Sequence, residues 1–145
     1  MAELRVPEPL QSLVLAFQFL TRIPMPDIGI AAAPVVGRSL LFYPLVGLVI
    51  GAALWLLQLL TSQLWPHQWE LQAALVLMLW CLLSGGLHLD GLADSADAWV
   101  GGMGDRERTL ELMKDPRCGP MAVVILVLVL LTKFAAIGVI LSKQP

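Results

Sequence analysis

Leu40 to Leu60, LLFYPLVGLVIGAALWLLQLL, contains no charged side chain. It has the length of about 20 residues that a helix needs to cross the hydrocarbon core of a bilayer. A helix apolar all round must be buried in a large protein or in lipid, and 145 residues do not make a large protein. Two further runs repeat the signal. Leu71 to Leu87 is slightly short and ends in Ser84, Gly85 and Gly86; Met121 to Ile140 is interrupted only by Lys133. With 58% hydrophobic and 14% charged residues, the chain falls outside the range of soluble domains. Only helices and closed barrels satisfy their own backbone groups in lipid, and the apolar runs have helical length. The expectation is an all-α, polytopic membrane bundle forming one domain over residues 1–145, with about three spanning helices. Gly47 and Gly51, four apart, would let a neighbouring helix approach the first span closely.

The run Leu10 to Leu20 is too short to cross, is punctuated by Gln11, Ser12 and Gln18, and is followed by Pro24 and Pro26. An interfacial or re-entrant helix fits it. The acids and prolines before it, and the lack of a small-residue cleavage site, make it a poor signal peptide. Arg5, Arg22 and Arg38 precede the first span, whereas the turn TSQLWPHQWE after it carries neither Lys nor Arg. The N-terminus is therefore expected inside. Arg106, Arg108, Lys114 and Arg117 put the segment after the second span on the same side. Trp65 and Trp69 around His67 read as an interfacial aromatic belt. Cys81 and Cys118 form neither a disulfide framework nor a CxxC pair and read as free thiols. With a formal charge of −2 and no basic block, nothing suggests a nucleic-acid partner. Lys133 should face the bundle interior, a water-filled site or a phosphate, or snorkel.

Of 11 acidic residues, Asp90, Asp94, Asp97, Asp105, Glu107, Glu111 and Asp115 all fall between the second and third runs. If LDGLADSADAWVG is helical, Asp90, Asp94 and Asp97 stand at i, i+4 and i+7 on one face. Like charges so placed repel unless a cation sits among them, and oxygen donors without sulfur suit Mg²⁺ or Mn²⁺. The plainer reading is a solvated acidic face with Asp90 as a helix cap. Gly85, Gly86, Gly91, Ala93, Ala96 and Ala98 favour the metal, because they leave the backbone close to whatever the carboxylates hold. Beyond them, Arg106 to Lys114 reads as an amphipathic helix ended by Pro116. Metal ligands beside Arg106, Arg108, Lys114 and Arg117 are the equipment of phosphoryl transfer. For Arg106 and Arg108 surface pairing is the better explanation.

The pieces FLTRIPMP (Phe19 to Pro26), FYPLVGLVIG (Phe42 to Gly51), GGLHLDGLADSADAW (Gly85 to Trp99) and ELMKDPRCG (Glu111 to Gly119) together resemble the cobalamin synthases, the adenosylcobinamide-GDP ribazoletransferases. The resemblance runs through nearly the whole chain. It implies a magnesium-dependent membrane enzyme of coenzyme B12 assembly, in the bacterial inner membrane, with its N-terminus and its catalytic segment, residues 88–120, facing the cytoplasm. That enzyme joins α-ribazole or its 5′-phosphate to adenosylcobinamide-GDP and releases GMP. On this resemblance Asp90, Asp94 and Asp97 are the metal ligands, one of which could instead be the base; His88 is another candidate base, or an orienting hydrogen-bond partner. Lys114 and Arg117 would bind the pyrophosphate, with Asp115 holding one of them or assisting the metal. The chain departs from the pattern at Ala98 and Ala122, where many members have glycine. It also stops at Pro145, where members continue into further spanning helices, so a truncated or split product is expected. The partners implied are the two substrates, the lipid, other cobalamin-assembly enzymes and a missing C-terminal half. The rival readings are a CDP-alcohol phosphotransferase, which has Arg in place of Asp94, a divalent-cation transporter component, and an inactive assembly partner.

Overall fold

The computed structural model describes residues 7–113 and 119–143. The described residues fold into helices alone. Helix α1, Glu8–Leu20, is 13 residues long and begins behind Pro7. At 1.5 Å per residue it is too short to cross a bilayer, as its sequence suggested. It packs on α2, Ala33–Ser39, where the buried Ser12 hydroxyl donates to the Val35 carbonyl at 3.1 Å.

A short 3₁₀ turn, Leu40–Phe42, joins α2 to α3, Tyr43–Leu64. Pro44 explains the turn: a proline cannot donate to the carbonyl four residues back and its ring crowds that carbonyl, so the helix tightens just before it. Together these pieces give 32 residues, Ala33–Leu64, long and apolar enough to cross a membrane, and therefore longer than the Leu40 to Leu60 run. Helix α7, Pro120–Ser142, is the second such helix.

The expected second span is different. Helix α4, Trp69–Ser84, has 16 residues and stops where Gly85 and Gly86 both take left-handed φ angles, +61° and +69°. After these two glycines the chain turns by 85° into α5, Leu87–Gly102. Leu71 to Leu87 is thus not one straight helix but α4 plus a break, and among the described residues two helices are long and apolar enough to cross a membrane, or three spans if the bent pair α4–α5 counts as one. Successive residues in this region of φ/ψ space strongly favour glycine, which is what the sequence supplies.

Helix α7 is the spine, packed against both α4 and α5. Gly138 of α7 lies opposite Ala73 of α4, so that two small residues bring the helices together. Helices α3 and α4 form a hairpin closed by polar side chains. Gln58 Nε2 donates to Gln72 Oε1 at 2.9 Å, and the fully buried Gln72 donates to the Trp65 carbonyl at 2.8 Å. In the turn itself His67 has φ +66° and meets Trp69 edge-on. Gly47 and Gly51 have no other part of the described chain within reach of an added Cβ. They lie with Ala52 and Trp55 in an open apolar groove on α3, so the close neighbour expected there is not among the described helices.

Helix α6, Arg106–Leu112, is started by Asp105, whose Oδ1 accepts from the N–H groups of Glu107 and Arg108. It packs against the end of α5 so closely that a Cβ on Gly102 would run into Thr109. A helix is therefore present where one was expected, but it ends at Leu112, and Leu110 and Met113 are exposed. Lys114 lies outside the described residues.

Candidate functional site

LDGLADSADAWVG is helical throughout, within α5. Ala93, Ala96 and Ala98 are buried, while Asp90, Asp94 and Asp97 line a single cavity of about 360 Å³. Its other walls include Arg22, from the loop after α1, the Gly85–Gly86 bend, and Leu126 of α7. The i, i+4, i+7 reading therefore places all three carboxylates where it said they would be.

The three aspartates are not equivalent. Asp97 Oδ2 accepts the Gly119 N–H at 2.5 Å and its Oδ1 accepts the Ala122 N–H at 2.8 Å. Both belong to the start of α7, where N–H groups lack carbonyl partners within the helix and where negative charge is favoured. Asp97 is thus the side chain that docks α7 onto α5. Gly119 has an ordinary φ of −85°, but a Cβ there would overlap the Asp97 carboxylate. Ala98 and Ala122, the two departures from glycine, are both buried; Ala98 lines the groove between α5 and α6, and Ala122 donates its N–H to Asp97 at the start of α7.

Asp90 and Asp94, by contrast, make no side-chain hydrogen bond or ion pair among the described residues. Asp90 is exposed and Asp94 half-buried. Asp90 does not cap α5: the residue before the helix is Gly86, whose carbonyl accepts the Asp90 N–H at 2.9 Å. Among the described residues no three His, Cys, Asp or Glu side chains converge closely enough to hold a metal by themselves. Mg²⁺ does not demand such a cage, because it is commonly held by one or two carboxylates together with waters and substrate phosphates. A cavity with two unpaired carboxylates and only oxygen donors fits that pattern.

His88 does not line the cavity. Its Nε2 lies 3.0 Å from Lys133 Nζ, its ring stacks on Trp80 at 6.2 Å between centroids, and the ammonium sits 4.3 Å from the Trp80 ring centre. Lys133 therefore turns toward the junction of α4 and α5, and neither snorkelling nor a phosphate is needed to explain it. His88, expected as a base or as an orienting hydrogen-bond partner, thus faces Lys133 and Trp80 and is not among the residues that line the aspartate cavity. Lys114, Asp115, Arg117 and Cys118 lie outside the described residues; Cys81 is a free thiol in α4.

Arg22 is the cavity residue that sequence reasoning passed over, because a lone arginine before a span reads as an orientation signal. The sequence cue was the TRIP turn itself, a cation held between a helix end and two prolines.

The profile of one protein family, described as cobalamin-5-phosphate synthase, matches residues 12–143. An adenosylcobinamide-GDP ribazoletransferase of Pseudomonas putida strain GB-1 is 60% identical over 131 residues, covering 90% of this chain and 53% of that protein. The protein of the same name from Ectopseudomonas mendocina is 62% identical over 123 residues, 85% of this chain and 49% of its own length. That from Stutzerimonas stutzeri is 58% identical over 132 residues, 91% and 53% respectively. The chain spans about half the length of these curated relatives. No solved structure matches.

Proposed function

The chain belongs to the cobalamin-5-phosphate synthase family, and from that premise we propose that its aspartate cavity is the phosphoryl-transfer site of an adenosylcobinamide-GDP ribazoletransferase. In that reaction a ribose hydroxyl of α-ribazole, or of its 5′-phosphate, forms a bond to the phosphorus attached to cobinamide. The bond from that phosphorus to the bridging oxygen breaks, GMP leaves with the electron pair, and the hydroxyl proton passes to a base. The observation that supports the reading best is the pairing of two unpartnered carboxylates, Asp90 and Asp94, with a guanidinium in one cavity. Its volume is enough for the diphosphate and the groups next to it, while the corrin macrocycle would remain outside.

Magnesium, when bound, neutralises charge on the diphosphate and on the departing nucleotide. Asp90 and Asp94 would hold it, with the substrate's phosphate oxygens completing its coordination. Asp97 keeps α5 and α7 in register, so that the carboxylates one and two turns earlier stay aimed at the cavity, and it can still contribute a lone pair to the metal. Alternatively one of Asp90 and Asp94 would hold the metal and the other would accept the hydroxyl proton. Lys114 and Arg117, with Asp115 beside them, would add positive charge from the segment just before α7. The arrangement belongs in the bacterial plasma membrane, with the site on the cytoplasmic side. The basic residues before α3 and their absence from the turn after it support that orientation.

The experiment is magnesium-dependent GMP release from adenosylcobinamide-GDP and α-ribazole in lipid, with the chain alone and with the C-terminal portion of a full-length relative supplied. Release that needs magnesium and disappears in Asp94→Asn is expected. Release that survives Asp94→Asn would refute the site, and a folded chain that stays silent with the C-terminal portion present would refute the activity.

A further inference from the structure

The loop that follows α1 is tied down at several points. The Thr21 N–H and hydroxyl both donate to the Phe17 carbonyl, at 2.9 and 2.8 Å, and Thr21 Oγ1 in turn accepts the Ile23 N–H at 3.2 Å. Gln18 Nε2 donates to the Pro26 carbonyl at 2.9 Å, across the far end of the loop. Between these anchors the Arg22 N–H donates to the Leu83 carbonyl in the last turn of α4, at 2.8 Å. That bond fixes the Arg22 Cα against the helix break. Its side chain then runs across Gly85, where an added Cβ would collide with Arg22 Nε and Cγ. A left-handed glycine therefore serves two purposes there, turning the backbone and making room for a guanidinium.

Arg22 lines the cavity with Asp90, Asp94 and Asp97, yet forms no ion pair among the described residues. Two other described cations are otherwise engaged: Arg38 is paired with Glu8 at 2.6 Å, and Lys133 is held by His88 and Trp80. A guanidinium brought to three carboxylates, and stopped short of all of them, leaves a gap lined with positive charge on one side and negative on the other. A phosphate accompanied by a divalent cation would suit such a gap, with the carboxylates holding the metal and the arginine fork holding phosphate oxygens. Arginine suits this because its planar N–H groups match two oxygens of one phosphate, whereas lysine offers a point charge.

We propose that Arg22 is a substrate-binding residue of this site, holding the diphosphate of the nucleotide substrate from the side opposite Asp90 and Asp94. The proposal rests on the phosphoryl-transfer reading and adds a residue to it from a separate part of the chain. It is tested without turnover, on the chain in lipid nanodiscs, by manganese binding from electron paramagnetic resonance and by calorimetry of inorganic pyrophosphate and GDP with magnesium present. Arg22→Gln should leave manganese binding unchanged and weaken pyrophosphate and GDP by about tenfold or more. Arg22→Lys should recover part of the loss. If Arg22→Gln binds pyrophosphate like the wild type while manganese still binds, the role of Arg22 is overturned and the metal site stands. If Arg22→Gln or Arg22→Lys loses manganese and pyrophosphate together, Arg22 supports the fold instead of the ligand, which also overturns it. A wild-type chain that binds no manganese overturns the phosphoryl-transfer reading itself.

Discussion

Asp97 in α5 and Gly119 at the threshold of α7 are in direct contact, with the carboxylate accepting the glycine N–H at 2.5 Å and leaving no room for a Cβ. The same carboxylate takes the Ala122 N–H, so one side chain satisfies two of the N–H groups that open a 23-residue helix. Asp97→Ala should therefore lower stability by about 1–2 kcal/mol, the usual cost of losing a helix cap. Asp97→Asn, which keeps one acceptor oxygen, should cost less. Gly119→Ala should destabilise through steric displacement of the same carboxylate. Thermal unfolding in detergent monitored by helicity gives all three, and an Asp97→Ala chain as stable as the wild type would remove the docking role.

Asp90 and Asp94 should behave in the opposite way. Neither side chain has a partner among the described residues, so Asp90→Asn and Asp94→Asn remove only mutual repulsion along one face of α5. Each substitution should leave the melting temperature unchanged or slightly raised, by the equivalent of a few tenths of a kcal/mol. On the proposed metal site each should also weaken manganese binding, measured by electron paramagnetic resonance, because each removes one of the two charged carboxylates that would hold the ion. Loss of stability without loss of manganese would reverse the division of labour between these aspartates and Asp97.

The same division explains what could be read from the sequence. Periodicity within one helix is local, so the shared face of Asp90, Asp94 and Asp97 was legible, as were α1 as a short helix and the long apolar helices α3 and α7. The Gly85–Gly86 pair was legible as a weak end to the second apolar run, but not as an 85° turn, since two glycines permit many geometries and packing on α7 selects one. The Asp97 contacts with Gly119 and Ala122 join residues 22 and 25 apart, and the contact of Lys133 with His88 joins residues 45 apart. No periodicity carries such information. The sequence shows three aspartates on one face, but not that Asp97 alone among them also accepts two N–H groups at the beginning of α7.

Gly85 and Gly86 separate backbone strain from crowding. Both have left-handed φ, but an added Cβ on Gly86 meets nothing within 4 Å, whereas on Gly85 it meets Arg22. Gly86→Ala should cost about 1 kcal/mol, the conformational penalty alone. Gly85→Ala should cost more and should also displace Arg22 from the cavity, so that pyrophosphate affinity falls with it. Equal effects of the two substitutions on both stability and affinity would show that Arg22 does not depend on Gly85.

Lys133 and His88 give a prediction that is read by spectroscopy. A lysine ammonium has three donors and no acceptor, so the His88 Nε2 that faces it at 3.0 Å must accept, and the ring proton resides on Nδ1. The ammonium also lies on the Trp80 face, an arrangement worth about 0.5–2 kcal/mol depending on how dry it is. Lys133→Leu removes the donor while sparing the helix and relieves the cost of holding a charge inside α7, so its net effect on the melting temperature should be small. The tautomer should nevertheless move: nitrogen-15 spectra of His88 in the neutral ring should show a predominantly Nδ1–H form in the wild type and a shift toward Nε2–H in Lys133→Leu. Trp80 emission should change with it, because the cation leaves the indole face. A His88 spectrum indifferent to Lys133 would mean that the two side chains are neighbours without a hydrogen bond, and would return Lys133 to snorkelling toward the membrane surface.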